Sequence, residues 1–265
     1  MVGRNQKTVE KSENRDQPSE PDVIMKVEPI SVVLVVHNEA ETIRTEIEAF
    51  HRKVVQKIPG SELIVAEDGS SDGTDEILKG IASRYSLKLI QETSRKGYRK
   101  ALLDALRAAA REWIFFSDTG GKFDPEDFWL LEPNRESSDL VIGVRKLRED
   151  RCYRRILTRV LNRLVRLYFR FPLKDSNSGF RLYRRLQLQR AISGSQILRE
   201  LTSMEITLRM LALGARLREV PVRYRQRTGP SRGLPLKKIP GVIVHTLKMF
   251  PRLKKELKMM RVDSD

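Results

Sequence analysis

Three short acidic stretches in the first half of the chain carry the side chains best suited to hold a polar ligand. In AEDGSSDGT (66–74), Glu67 and Asp68 are adjacent carboxylates, followed by a turn-forming Gly69 and by Ser and Asp residues that suit a helix N-terminus. Helix capping accounts for Ser70, Ser71, Asp72 and Gly73. It does not account for two neighbouring acids, whose mutual repulsion is relieved when donors such as a base N–H or ribose hydroxyls meet them. His37-Asn38-Glu39 places another carboxylate after an apolar run, and SDTGGKFDP (117–125) supplies Asp118 and Asp124. Other chemistries find little support. The three His and the single Cys152 are widely separated, so no His/Cys metal cluster is encoded. KGYRK (96–100) lacks the glycine spacing of a dinucleotide fingerprint, and no Walker-type phosphate loop is present.

Each acidic stretch follows a segment that reads as a strand. ISVVLVV (30–36), ELIVAE (62–67), LKLIQE (87–92) and WIFFSD (113–118) are short and nearly continuously apolar. Between them lie segments of helical spacing, over 39–57 through Ile43, Ile47, Phe50 and Val54, then from about Asp72 to Tyr85 and from about Gly97 to Arg111. Strands of this kind alternating with helices predict an α/β fold, a Rossmann-like, mostly parallel sheet covered on both faces. Ligands of such sheets bind beyond the carboxyl ends of the strands, where the strand order reverses. The three acidic loops are expected to meet there. Residues 1–28 are polar, with Pro18 and Pro21, and read as a disordered tail.

The charge is unevenly placed. Of 265 residues, 51 are Lys or Arg and 35 Asp or Glu, a net of +16. Residues 1–144 carry 20 basic and 26 acidic side chains, a net of −6, whereas 145–265 carry 31 and 9, a net of +22. Residues 151–170 contain seven Arg and no acid, with Ile156, Leu157, Val160, Leu161, Leu164, Val165 and Tyr168 at helical spacing. This reads as a basic amphipathic helix, either packed on the core with a solvated outer face or lying on a membrane surface. Residues 236–261 hold eight Lys or Arg against one Glu, divided by Pro240 and Pro251, and are too charged to span a bilayer. Nucleic acid is not the expected partner, since no readable binding module accompanies the charge. The absence of an apolar signal core in the first residues and the lone Cys152 suggest a cytosolic setting.

Six strings occur in order: SVVLVVHNEAETI, ELIVAEDGSSDGTDEIL, KGYRKALLDALRAAAREWIFFSDTGGKFDPEDFWLL, DLVIGVR, DSNSGFRLYRR and EVPVRYRQRTGPSR. Together they resemble the family 2 glycosyltransferases of GT-A fold, in particular the dolichyl-phosphate mannose synthase and bacterial polyprenyl-phosphate branch. The resemblance covers about residues 30–232. It implies a glycosyltransferase domain at 29–232 and a basic C-terminal segment, 233–265, for docking on a membrane surface or a partner.

What the resemblance implies is inverting transfer of a sugar from a nucleoside-diphosphate sugar to a polyprenyl phosphate, at the cytosolic face of a membrane. Glu39 and Asp68 would bind the nucleoside, with His37, Asn38 and Glu67 nearby and Lys96 and Gly97 in the nucleotide pocket. Asp118, Thr119 and Gly120 occupy the family's Asp-x-Asp motif, which holds Mg²⁺ or Mn²⁺ against the donor diphosphate. Here the second Asp is Gly120, and the following Gln position is Lys122. A hard divalent ion loses a ligand by that change and gains a repulsive neighbour. Lys122 would then supply the positive charge in place, with Asp118 as a lone metal ligand at most. On the acceptor side the resemblance assigns phosphate-binding roles to Arg145, Arg154 or Arg155, Arg181, Arg227 and Arg232, and a shaping role to Asp175, Ser178 and Gly179. Glu205 and Glu219 also match family positions. Transfer to a saccharide hydroxyl, or a non-catalytic nucleotide-sugar-binding or lipid-docking scaffold, are the rival readings. A membrane-anchoring partner protein would take the place of the transmembrane helices that many relatives carry.

Overall fold

The β-branched run from Ile30 to Val36 forms strand β1, every residue of which is buried. This is a computed structural model, and it describes residues 27–92, 94–146, 152–194, 196–225 and 236–262. Strands β2 (Glu62–Glu67), β3 (Leu87–Gln91) and β4 (Trp113–Asp118) follow, linked by α1 (Ile43–Phe50), α2 (Thr74–Ala82) and α3 (Tyr98–Ala108). A short helix α4 (Phe128–Leu131) leads to β5 (Leu140–Lys146) and the long α5 (Cys152–Phe169). Then come β6 (Phe180–Arg184), α6 (Arg185–Ile192), α7 (Thr202–Ala212), β7 (Leu217–Arg223) and α8 (Ile239–Val262). The strands make one seven-stranded sheet in the order β3-β2-β1-β4-β6-β5-β7. All pairings are parallel except those of β6, which runs antiparallel to β4 and β5. The mostly parallel α/β sheet expected from the alternation is therefore present.

The strand order reverses between β1 and β4. Register then fixes which side chains meet, because Val36 lies opposite Glu67 and Val35 opposite Asp118. The carboxyl ends of β1, β2 and β4, with their acidic loops, thus open on one crevice.

Both faces of the sheet are covered. One core layer joins Val33, Ile64 and Phe116 to side chains of α3, α6, α7 and α8. The other joins Val32, Leu34 and Phe115 to α1, α2 and α4. Helix α1 presents Ile43, Glu46, Ile47 and Phe50 to that second layer, at positions i, i+3, i+4 and i+7. It continues into a π-helical turn over His51–Val55.

Two segments differ from their sequence reading. The apolar residues of α5 divide into two lines. Val165 and Phe169 are in the core, while Ile156, Val160, Leu164 and Leu167 are 58%, 49%, 39% and 68% exposed. Spacings of four, four and three residues put the exposed set on one stripe. The C-terminal basic segment, expected to be divided by its prolines, is instead a single helix. Pro240 falls in the first turn, where no helical N–H bond is lost, and Pro251 lies inside the helix. The second half of α8 is not a detached docking segment. Phe250, Leu253 and Leu257 are buried in the core against α7, and Arg209 of α7 bonds both Glu205 and Glu256 at 2.7 Å. Among the described residues no helix is long and apolar enough to cross a membrane.

Candidate active site

Asn38, at the end of β1, has a left-handed backbone with φ 54°. That turn lets its amide N–H donate to Ser70 Oγ at 2.8 Å, while its side-chain Oδ1 accepts from the Ser71 amide at 2.8 Å. The Glu39 amide donates to Thr74 Oγ1 at 2.8 Å, and Glu39 itself is only 5% exposed. The first two acidic loops are therefore laced together through polar contacts of HNE with SSDGT.

The adjacent acids of β2 separate in role. Glu67 folds back on its own loop, accepting from the Ser70 amide at 2.6 Å and the Gly69 amide at 3.2 Å. Its carboxylate is thereby committed to the turn, which corrects the expectation of two ligand-facing acids. Asp68 Oδ1 accepts from the amides of Lys96 and Gly97, each at 2.9 Å, and so ties the end of β2 to the loop before α3. The structure thus unites Asp68, Lys96 and Gly97, through backbone rather than the Lys96 side chain, whose ammonium pairs with Glu92. Imidazole Nδ1 of His37 is buried with no hydrogen-bond partner among the described residues, leaving an acceptor or donor open beside these loops.

Asp118 closes β4. Its amide donates to the Gly179 carbonyl at 2.7 Å, and its carboxylate lies so close over Gly179 that a Cβ there would come within 2.0 Å of Oδ2. The hydroxyl of Tyr98, the first residue of α3, donates to Asp118 Oδ1 at 3.1 Å. Burial of that hydroxyl, followed by the Asp118 charge, pushes the phenol well above its ordinary range, so it stays a donor. Thr119 Oγ1 donates to the Val35 carbonyl, returning the chain to β1. Gly120 and Gly121 follow with φ 88° and 66°, a conformation that favours glycine. Their amides converge on the carboxylate of Glu46, at 2.8 and 3.3 Å. Lys122 is half-buried, forms no ion pair among the described residues, and its charge acts on Glu46. Asp124 is held by Lys53 at 2.7 Å with Arg223 and Arg225 nearby, and these contacts keep it below the usual carboxylate range although burial alone would raise it.

On the acceptor side the expected arginines disperse. Arg145 forms a bidentate pair with Asp175, at 2.7 and 2.6 Å, and stacks over the Tyr224 ring. Burial opposes its charge, but Asp175 raises it further above its ordinary value, and Asp118 adds to this. Arg181 is fully buried. Its guanidinium donates to the carbonyls of Ser176, Ser178 and Ser203 and to Thr207, so it cannot reach an acceptor and instead braces the floor under Asp118. Ser178 is likewise buried, its hydroxyl donating to the Gly143 carbonyl at 2.6 Å. Glu205 accepts from the Ile197 and Leu198 amides, and Glu219 from those of Lys174 and Asp175, each ordering a loop. Arg155 is half-buried in the first turns of α5. Arg227 and Arg232 lie outside the described residues, as does the Arg154 side chain.

Glu46 and Tyr98 are the two contributors that sequence motifs did not single out. Glu46 carried a signal nonetheless, since it stands on the apolar phase of α1 between Ile43 and Ile47. Tyr98 had none beyond its position after Gly97.

A divalent ion finds few ligands here. No three His, Cys, Asp or Glu side chains gather to hold one among the described residues. Asp118 stands alone at the motif, one of its oxygens already bonded to Tyr98 and the charge of Arg145 nearby. A divalent ion here would have Asp118 as its single protein carboxylate and would draw its other ligands from the donor diphosphate and water.

A sheet with a β1/β4 switch point and carboxylate loops at its carboxyl edge defines a GT-A glycosyltransferase fold. Structures of glucosyl-3-phosphoglycerate synthase from Mycobacterium tuberculosis share it. The form with Mn²⁺, uridine diphosphate and glucosyl-3-phosphoglycerate aligns at a TM-score of 0.63 and 20% identity, over 83% of this chain and 79% of that one. Residues 31–190 match the profile of glycosyl transferase family 2, and the chain belongs to that family. Among curated relatives, dolichol-phosphate mannosyltransferase of Pyrococcus furiosus is 26% identical over 162 residues, 57% of this chain and 45% of that protein. Poly-beta-1,6-N-acetyl-D-glucosamine synthase of Staphylococcus epidermidis is 27% identical over 116 residues, 43% of this chain and 27% of that protein. The chain spans less than half the length of each of these relatives.

Proposed function

We propose that the chain transfers a sugar from a nucleoside-diphosphate sugar to a polyprenyl phosphate, with inversion, at the cytosolic surface of a membrane. The observation that carries this reading is the convergence of Asp68, Lys96, Gly97 and Asp118 at the β1/β4 switch point. Asp68 and Glu39, beside the open His37 Nδ1, would receive the nucleoside. Asp118, with one oxygen held by Tyr98, presents the other to hydroxyls of the donor sugar. Lys122 lies one turn further along the loop, where its ammonium would offset the charge that builds on the departing diphosphate. A phosphate acceptor is already an anion and attacks without a strong general base, in keeping with a site whose carboxylates are mostly engaged. The names of the Pyrococcus protein and of a further relative, undecaprenyl-phosphate 4-deoxy-4-formamido-L-arabinose transferase of Yersinia enterocolitica, 26% identical over 143 residues, favour a lipid phosphate acceptor.

Docking to the membrane is assigned to the exposed stripe of α5, Ile156, Val160, Leu164 and Leu167, with Arg159, Arg163 and Arg166 exposed beside it. Exposed Ile243, Val244 and Leu247 at the start of α8 extend the apolar surface available. The Staphylococcus relative supports the second reading, transfer to a saccharide hydroxyl. Thermal shift with guanosine-, uridine- and thymidine-diphosphate sugars identifies the donor. Turnover with that donor and a short polyprenyl phosphate then tests the acceptor, with EDTA and with added Mn²⁺ in parallel. Product on the lipid that persists in EDTA is expected. Product only on oligosaccharide overturns the lipid reading, and activity abolished by EDTA and restored by Mn²⁺ overturns the role given to Lys122.

A further inference from the structure

Two consecutive amides, those of Gly120 and Gly121, point at one anion. Successive backbone N–H groups with left-handed φ form a concavity that binds negative charge. In a site read as taking a diphosphate, that concavity is expected to be open. It is instead filled from below by the carboxylate of Glu46, which reaches over from α1 and is 8% exposed. Gly120 is itself buried. A ligand phosphate therefore cannot take these amides unless the Glu46 side chain leaves them, and α1 itself is held in the core by fully buried Ile43, Ile47 and Phe50.

We propose that Glu46 is a positioning residue for the donor loop. By binding the Gly120 and Gly121 amides it fixes the path of the loop between Asp118 and Lys122, and with it the place where the Lys122 charge stands. The proposal rests on reading this loop as the donor-diphosphate site. Geometry alone supports the strap. The loop leaves β4 at Asp118, is pinned to β1 by Thr119, to α1 by the two glycine amides, and to the end of β7 by the Lys122 carbonyl, which accepts from the Arg225 amide at 2.9 Å. Of these ties, that to Glu46 is the only one made by a charged side chain.

The groups facing Glu46 are Glu39 from the loop before α1 and Lys122 from the strapped loop, together with the two amides. Burial, reinforced by Glu39, raises the carboxyl from 4.5 to about 7 against the pull of the amides and Lys122. Burial makes the ionised group costly to the fold, but the two amide bonds pull the value down, so they are made more strongly to the carboxylate than to the carboxylic acid. The strap is accordingly tightest above about pH 7, where Glu46 is ionised, and loosens as pH falls through 7.

The test compares wild type, Glu46→Gln and Glu46→Ala at pH 6 and pH 8. Amide hydrogen exchange is read at Gly120 and Gly121, and affinities for UDP and GDP, used as probes, are read by calorimetry. Glu46→Ala is expected to lose about tenfold protection at the two amides and about tenfold nucleotide affinity at both pH values, the scale of one charge-assisted hydrogen bond. Wild type should gain protection and affinity several-fold from pH 6 to pH 8, and Glu46→Gln, which keeps an acceptor but cannot ionise, should not. Wild-type affinity in Glu46→Ala, or the same pH dependence in wild type and Glu46→Gln, overturns the proposal. If the alanine variant does not fold, the glutamine comparison decides. If wild type binds neither nucleotide, the donor reading of the loop fails and the positioning role falls with it. Binding by wild type that Glu46→Ala matches removes the positioning role alone.

Discussion

Gly179 leaves no room for a side chain, because the Asp118 carboxylate occupies the space. Gly179→Ala should therefore push Asp118 aside while the surrounding fold, braced by Arg181, stands. Loss of transfer by about a hundredfold with a thermal midpoint close to wild type is expected, since a misplacement of about 1 Å at a reacting group costs that much. Restoring Asp at position 120 should fail to restore metal binding, because φ 88° is strained for any residue with a Cβ. Gly120→Asp should lower the melting temperature, and its activity should show no Mn²⁺ requirement. Glu46 also sets a pH signature on stability. With its folded value near 7 and unfolded value near 4.5, its contribution is complete below about pH 4.5 and is lost as pH rises through 7. The loss is at most about 3 kcal/mol. Denaturant unfolding from pH 5 to pH 8 should show wild type losing more stability than Glu46→Gln. At this scale the sequence was legible where a side chain meets backbone of another loop, as at Asp68 and Lys96-Gly97. It misled where a motif Arg proved internal. Arg181 reads as a cation for phosphate, yet its planar fork matches several carbonyls at once, and nothing in one sequence separates those two uses.

Helix α5 carries two apolar lines on one amphipathic pattern, and a single period of 3.6 residues cannot tell them apart. The sequence pattern gave the helix and its bounds within a residue or two. Which line faced inward was decided by the neighbouring α8, through Phe169 against Phe250 at 4.9 Å between ring centres. Val160→Asp with Leu164→Asp on the exposed stripe should abolish sedimentation with anionic vesicles and leave the melting temperature within about 2 °C of wild type. The same pair of changes in an α5 packed only on protein would lower stability instead. Helix α8 was misread because Pro251 looks like a stop. The Leu247 carbonyl that it leaves without a helical partner belongs to an exposed residue, and burial of Phe250, Leu253 and Leu257 holds the turns on either side. Leu253→Ala should cost about 2–5 kcal/mol in urea unfolding, as for a fully buried leucine.

The whole molecule separates its charge as it separates its work. The acidic loops proposed to take the donor lie in the part with a net of −6, and the stripe of α5 in the part with +22. Binding to anionic vesicles should weaken steeply between about 0.05 and 0.5 M salt, and binding to neutral vesicles should be weak at any salt. Flotation assays check this, and salt-insensitive binding would move the burden from charge to the apolar stripe. The strand alternation and the loops that interrupt it made the fold readable in the sequence. The ties between distant segments were not readable, because Glu46 to Gly120, Asp118 to Gly179 and Arg209 to Glu256 join residues with no common local pattern.

The placement of α8 also bears on the order of events during synthesis. Phe250, Leu253 and Leu257 share a core layer with Val33 and Phe116, strands made more than a hundred residues earlier. A nascent chain paused before residue 250 would have α3 on the sheet already but would leave the α7 face that α8 covers open to water. The ribosome-bound intermediate is then a client for chaperones, and the step that releases it is the docking of a single helix.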